Sequence, residues 1–231
     1  MDLIDEVVLP SKGLVYDKEI KWSNRLRAPR LCDRGIGDLT KKNKLQASIL
    51  DKTLLEPLGM SAYDLHTADF LYLNFMQRQI AKAGQPYKIK VRCENCRSDQ
   101  VIDFDLKNLK VNYLSERPEY IFKTLNNEEI EYTFLTPRKI DDAKEASEIY
   151  KEEFPNAEQD VELQELLRSV ILKVDGVKPT HSQMTDFINN MYTDDSDRLI
   201  EKLMDINFGL DLKQSVKCPK CGKIIKFILP V

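Results

Sequence analysis

Apolar and polar positions alternate most cleanly between Tyr87 and Arg92, with Tyr87, Ile89 and Val91 on one face and Lys88, Lys90 and Arg92 on the other. A period of two predicts a half-buried strand. The same signal runs from Val101 to Leu106 and from Ile224 to Leu229, each time just after a pair of cysteines. Between Tyr120 and Leu135 the pattern predicts a hairpin: an apolar run to Leu125, a turn at Asn126-Asn127, then Ile130, Tyr132 and Phe134 alternating with acids and Thr133. The segment from Leu3 to Arg30 has short apolar runs broken by Pro10, Gly13 and Pro29, which suits short strands and turns, with Tyr16 beginning a strand.

Helical spacing governs the rest. After Gly37, with Thr40 as cap, Leu45, Ile49, Leu50 and Leu54 predict a helix that ends near Pro57 and Gly59. Thr67 is placed to cap a second helix, whose apolar face includes Phe70, Leu71, Phe75 and Ile80 before Gly84 stops it. Asp69 and Arg78, on so apolar a helix, are candidates for an internal or interface ion pair, and His66 just ahead of it reads as a turn residue. Thr136-Pro137 opens a third helix, and the apolar series Val161 to Val174 predicts a fourth, ended by Asp175-Gly176. Two more are expected from about Ser182 to Tyr192 and from about Asp195 to Asn207, with His181 in a loop and Gly209 as the last stop.

The resulting fold class is α+β, with small β-sheets, a two-knuckle zinc-ribbon-like site and an inserted helical subdomain. Five segments are expected: a strand and turn segment over 1–37, helices over 38–84, a β-region with the first cysteine knuckle over 85–135, a helical insert over 136–209, and closing strands with the second knuckle over 210–231.

The chemistry lies in Cys93-Glu94-Asn95-Cys96 and Cys218-Pro219-Lys220-Cys221. Thiolates at i and i+3 on a tight turn converge on one cation, so Cys93, Cys96, Cys218 and Cys221 together supply the four tetrahedral sulfurs of a closed structural zinc site. Gly222 supports the second turn. About 120 residues separate the half-sites, far more than in an ordinary zinc ribbon, so Zn2+ would staple the end of the chain to its middle. A redox dithiol calls for one such pair at a helix start, and here both lie between predicted strands. A disulfide framework calls for an oxidising compartment, and no apolar leader points to one. Four thiolates leave no open position for a catalytic water. Cys32, the odd cysteine, reads as a buried or bystander thiol.

Composition fits a globular protein, at 42% hydrophobic and 32% charged residues, with no apolar run long enough to span a bilayer. A net charge of −3 gives no global electrostatic case for nucleic acid. Basic residues do dominate from Lys18 to Lys44, and acids from Asp141 to Glu165, an asymmetry that suits solvated or partner-facing surfaces. Leu9-Pro10-Ser11-Lys12-Gly13 has the letters of a phosphate loop without its spaced glycines, and reads as a turn. Trp22 is expected as a core or interface anchor. No catalytic site residues are assigned, because no nucleophile elbow, metalloprotease motif or dinucleotide fingerprint is present. The acidic runs Glu128 to Glu131 and Asp194 to Asp197 read as solvated or helix-start charge.

The order of these features resembles a known family. The residues that carry the resemblance are Leu9-Pro10-Ser11-Lys12-Gly13 with Tyr16, Leu26-Arg27-Ala28-Pro29, Leu39-Thr40 at a helix start, and Asp69 to Gly84 followed by Tyr87 and the Cys93/Cys96 knuckle. Val174-Asp175-Gly176, Gly209 and the Cys218/Cys221 knuckle complete the series. Together they are similar to the baseplate hub subunit family of T-even-type contractile-tailed bacteriophages, over nearly the whole chain. Lys41-Lys42-Asn43-Lys44 departs from the pattern, standing where acids are expected. The metal prediction rests on the cysteines alone. The resemblance implies a non-enzymatic component or assembly factor of the virion tail baseplate, assembled in the host cytoplasm and binding other hub or wedge proteins. The alternative is a zinc-ribbon nucleic-acid-binding or transcription-related module using Lys18 to Lys44 for phosphate contacts, with affinity falling steeply in salt. A hydrolase with an unrecognised site is a third reading.

Overall fold

The computed structural model of the protein describes residues 3–33, 42–83, 85–104, 109–156 and 159–229. The expected Thr40 cap, the Gly84 stop and Leu106 fall outside them. Among the described residues the chain is α+β, with small antiparallel sheets joined by helices. Strands β1 (Ile4–Val8) and β2 (Ser23–Arg27) form the first hairpin, followed by α1 (Lys42–Thr53) and α2 (Thr67–Ala81). β3 (Tyr87–Arg92) and β4 (Asp99–Phe104) form the second hairpin. β5 (Val111–Asn112) follows, then β6 (Ile121–Lys123) and β7 (Glu129–Tyr132), which pair around a turn where Asn127 takes φ 62°. Next come α3 (Pro137–Glu153), α4 (Val161–Val170), β8 (Ile171–Val174), α5 (His181–Asn190) and α6 (Thr193–Met204). β9 (Gly209–Leu210) pairs with β5, and β10 (Lys213–Lys217) with β11 (Ile224–Ile228) closes the chain.

Helix α2 organises the packing. Its first half, with Ala68, Phe70, Tyr72 and Leu73, enters the largest apolar cluster, built with β1, β2, α1 and the turn after β1. Its second half gives Phe75 to a smaller cluster under the cysteines, with Ile89, Val91, Leu109, Ile225 and Leu229. A third cluster fills the space between the sheet β6-β7-β8 and helices α4, α5 and α6. Helix α3 packs against both α1 and α4.

Local signals explain most boundaries. Thr136 caps α3, its side chain accepting from the Lys139 amide, with Pro137 at the first position. Thr180 and Gln183 form a reciprocal capping box on α5, so His181 opens this helix and is not a loop residue.

Two further expectations are corrected. The apolar series from Val161 is helical only to Val170. Ile171–Val174 is instead the outer strand of the β6-β7-β8 sheet, with Ile171 facing Tyr132. Asp175 (φ 48°) and Gly176 (φ 75°) then make a two-residue turn between Val174 and Val177, whose amides and carbonyls exchange hydrogen bonds at 3.0 Å. Two consecutive positive φ values are hairpin geometry, for which Asp-Gly is well suited. Tyr16 does not begin a strand: it closes the turn after β1, and β2 starts at Ser23. Trp22, expected as a core or interface anchor, is 43% exposed, which leaves the interface reading.

Candidate metal centre

The two cysteine pairs sit at the tips of matching hairpins. In each, six residues span the last paired positions: Arg92 faces Asp99, and Lys217 faces Ile224. In each, the first cysteine's amide donates to the carbonyl five residues on, Cys93 to Ser98 at 3.0 Å and Cys218 to Lys223 at 2.7 Å. The residue after the second cysteine takes the left-handed conformation, at Arg97 (φ 55°) and Gly222 (φ 75°). That turn aims both thiols of a knuckle to one side. The glycine is legible in the sequence, whereas Arg97 occupies the equivalent strained position without a sequence cue.

The knuckles face each other. Cys93 Sγ lies 3.7 Å from Cys221 Sγ, and Cys96 Sγ lies 3.7 Å from Cys218 Sγ. All four sulfurs fall within 4.8 Å of one another. A tetrahedron of zinc–sulfur bonds near 2.3 Å has an edge of about 3.8 Å, whereas a disulfide would bring sulfurs to about 2.05 Å. The donor set therefore fits a tetrathiolate ion. Cys93 and Cys218 are buried against the cluster that contains Phe75 and Ile225, while Cys96 and Cys221 lie on the solvent side.

The surroundings supply hydrogen bonds to sulfur, as the outer shell of a metal site does. Ser98 Oγ is 2.9 Å from Cys96 Sγ, and Gln100 Nε2 holds that hydroxyl from 2.6 Å. Hydrogen bonds from the Ser98 side chain and then its backbone bring Cys96 down to about 6. The Lys223 amide first, and the Asn95 side chain from the opposite knuckle second, lower Cys221. At Cys93 the Cys96 amide pulls downward, but burial and the neighbouring thiols outweigh it and push Cys93 up to about 11. Ionised sulfurs this close repel one another, so hydrogen bonds pull two of them down while the buried third is pushed up. A bound cation would ionise the set.

Residues 36–229 match the family described as T4 bacteriophage base plate protein. The chain belongs to that family. The match encloses both knuckles and runs from before α1 to the end of β11. No curated protein and no solved structure matches the chain. Membership in the base plate family points to a structural component of a phage tail baseplate, and says nothing finer about which one.

The other sequence candidates in this base plate protein take structural places. Cys32 is exposed and is not one of the four clustered sulfurs. His66, expected as a turn residue ahead of a helix capped by Thr67, is itself the cap of α2: its Nδ1 accepts from the Ala68 amide at 3.1 Å, and Thr67 is the first helical residue. Burial first, and the charge of Lys139 second, lower His66 to about 3, so it is neutral.

Asp69 is fully buried and forms no ion pair with Arg78, which leans on the Phe75 ring. Nine residues apart on a helix, the two point to opposite sides. Asp69 accepts instead from the Ser11 amide (3.0 Å), the Ser11 hydroxyl (2.5 Å) and the Tyr16 hydroxyl (2.7 Å). Burial raises the Asp69 carboxyl, and these hydrogen bonds offset part of the rise. The phosphate-loop-like letters thus serve as a turn pinned to α2. Asp195 is not solvated either: it is 1% exposed and accepts from the Leu125 amide at 3.0 Å.

The basic N-terminal segment spends several charges internally. Lys18 donates to the Gly59 carbonyl (3.1 Å), Lys21 pairs with Glu56 (3.1 Å), and Arg27 clasps Asp33. Arg34 and Lys41 of that segment lie outside the described residues. Among the described residues, no helix is long and apolar enough to cross a membrane.

Proposed function

We propose that this protein is a non-enzymatic structural component or assembly factor of the baseplate hub, bound to other hub or wedge proteins and stapled by one zinc ion on Cys93, Cys96, Cys218 and Cys221. The observation that carries this reading is the convergence of four thiols from hairpins 122 residues apart, inside a chain of the base plate family. The β3-β4 and β10-β11 hairpins belong to separate sheets, so no ladder hydrogen bonds join them. Isolated two-stranded hairpins are marginal in water. A metal that fastens one to the other makes a rigid body without a large core, which suits a part with several partner surfaces.

On this reading the segments 85–135 and 210–231 are the scaffold, while 1–37 and the helical 136–209 present binding faces. Particle assembly then takes place in the host cytoplasm, before the finished tail.

The test is the metal content and mass of the purified protein, alone and co-expressed with hub and wedge proteins of the same virion. One zinc per chain and a stable complex are expected. The zinc-ribbon nucleic-acid module is the competing outcome, recognised by zinc without a protein partner and by DNA or RNA binding that falls steeply with salt. The internal use of Lys18, Lys21 and Arg27 weighs against it.

A further inference from the structure

The outer faces of the two cysteine hairpins differ in charge. On β3-β4, Lys88 faces Asp103 and Arg92 faces Asp99, and Lys90 pairs with Asp99 at 3.0 Å, so two acids offset most of the charge of three cations. On β10-β11 the outer face presents Lys213, Lys217 and Lys226 with Ser215, and no acid. None of these lysines joins an ion pair among the described residues. Between them stand Ile224 and Ile228, 69% and 67% exposed. Like charges side by side on one sheet face repel, and apolar side chains among them remain in water.

Helix α3 carries the complementary pattern. Glu145, Glu148, Ile149 and Glu152 form one exposed stripe at i, i+3, i+4 and i+7, with Ile149 52% exposed. Lys144 and Lys151 flank it, and no ion pair among the described residues engages Glu148 or Glu152. Acids spaced this way repel each other, and near a helix C-terminus they oppose the macrodipole, which favours cations there. Glu148 and Glu152 lie about 6 Å apart along the helix, and lysine's flexible four-carbon stem lets two of the ribbon's lysines reach that pair.

From this complementarity we infer that the β10-β11 face of one chain docks on the α3 stripe of a second copy, with lysines against glutamates and Ile224 and Ile228 against Ile149. The two patches differ, so the contact is head-to-tail and the assembly keeps one free patch at each end, the condition for a ring or an open string. The inference takes the ribbon as folded and does not depend on which metal closes the thiolates.

The test is sedimentation equilibrium of the purified, metal-loaded full chain. Concentration-dependent association is expected, weakening at least about tenfold as salt rises from about 0.1 M to about 1 M and the Debye length falls from about 10 to about 3 Å. Reversing the ribbon (Lys213→Glu, Lys217→Glu, Lys226→Glu) or the helix (Glu148→Lys, Glu152→Lys) abolishes it, and combining both sets in one chain restores it. The helix variant lies away from the thiols, and its zinc content and circular dichroism stay unchanged. A monomer at every concentration and salt overturns the inference. So does association that survives both reversals, or a ribbon that binds a short DNA duplex while the chain stays monomeric.

Discussion

Helix α2 ties down two distant segments by different means. At its first half, Asp69 gathers the Ser11 and Tyr16 hydroxyls inside a cluster of twenty buried apolar residues. At its second half, Phe75 joins a cluster that, among the described residues, has six buried apolar side chains besides Cys93 and Cys218, with partly buried ones such as Leu71, Tyr87 and Phe227 around them. Burial of a large aliphatic side chain contributes roughly 1.5–3 kcal/mol, so the first region is held by its core, and the carboxylate selects one arrangement of it. The second has a smaller buried core among the described residues, and on the proposed reading a metal on its four sulfurs adds the missing hold. On that reading, core size decides whether a polar centre refines a fold or makes it.

The largest expected effect separates the two regions. On the proposed zinc reading, stripping the metal withdraws a contribution on the order of 10 kcal/mol from the C-terminal ribbon, and Cys218→Ser withdraws part of it. Hydrogen exchange should then show residues 209–229 unprotected while α2 and β1-β2 keep their protection. Equal loss in both regions would erase the contrast.

Next, Asp69→Ala leaves the Ser11 and Tyr16 donors buried without an acceptor, and should lower unfolding stability by about 3–4 kcal/mol in urea titrations without altering metal content.

His66 sharpens the contrast through pH. Burial holds the folded imidazole at about 3, against roughly 6.5 in the unfolded chain. Its contribution is therefore whole above pH 6.5 and is lost as pH falls from there towards 3. Near pH 4 the loss is roughly 3 kcal/mol. His66→Asn keeps a capping side chain and cannot titrate, so its stability should change less between pH 7 and pH 4 than that of the parent. A parallel pH curve for the two proteins would count against neutral, buried His66.

The smallest effect distinguishes the knuckles. Arg97→Gly relieves a left-handed position and Gly222→Ala strains one, so apparent zinc affinity should rise slightly in the first and fall in the second, each by about 1 kcal/mol in a chelator competition.

Local patterns made much of this legible in sequence. Strand β3 has the bounds that the alternation from Tyr87 to Arg92 predicts, and Thr136-Pro137 marked α3 because a capping residue followed by proline acts within one turn. The cysteine spacing indicated thiols that could converge, and the structure brings all four together. What escaped depends on distance. Asp69 looked like half of an ion pair because its partners, Ser11 and Tyr16, lie 58 and 53 residues away. Strand β8 was hidden in an apolar series continuous with α4, where only β-branched Ile171 and Val174 and the Asp-Gly turn hinted at a change of period. His66 was passed over because histidine is a rare cap, and the burial that keeps its imidazole neutral down to low pH is a tertiary effect.

The most direct test of the metal staple is X-ray absorption at the zinc edge on the purified protein, with metal counted per chain. One zinc surrounded by four sulfurs near 2.3 Å is expected. A chain without bound metal, or an ion with nitrogen or oxygen in place of any of the four sulfurs, would contradict it.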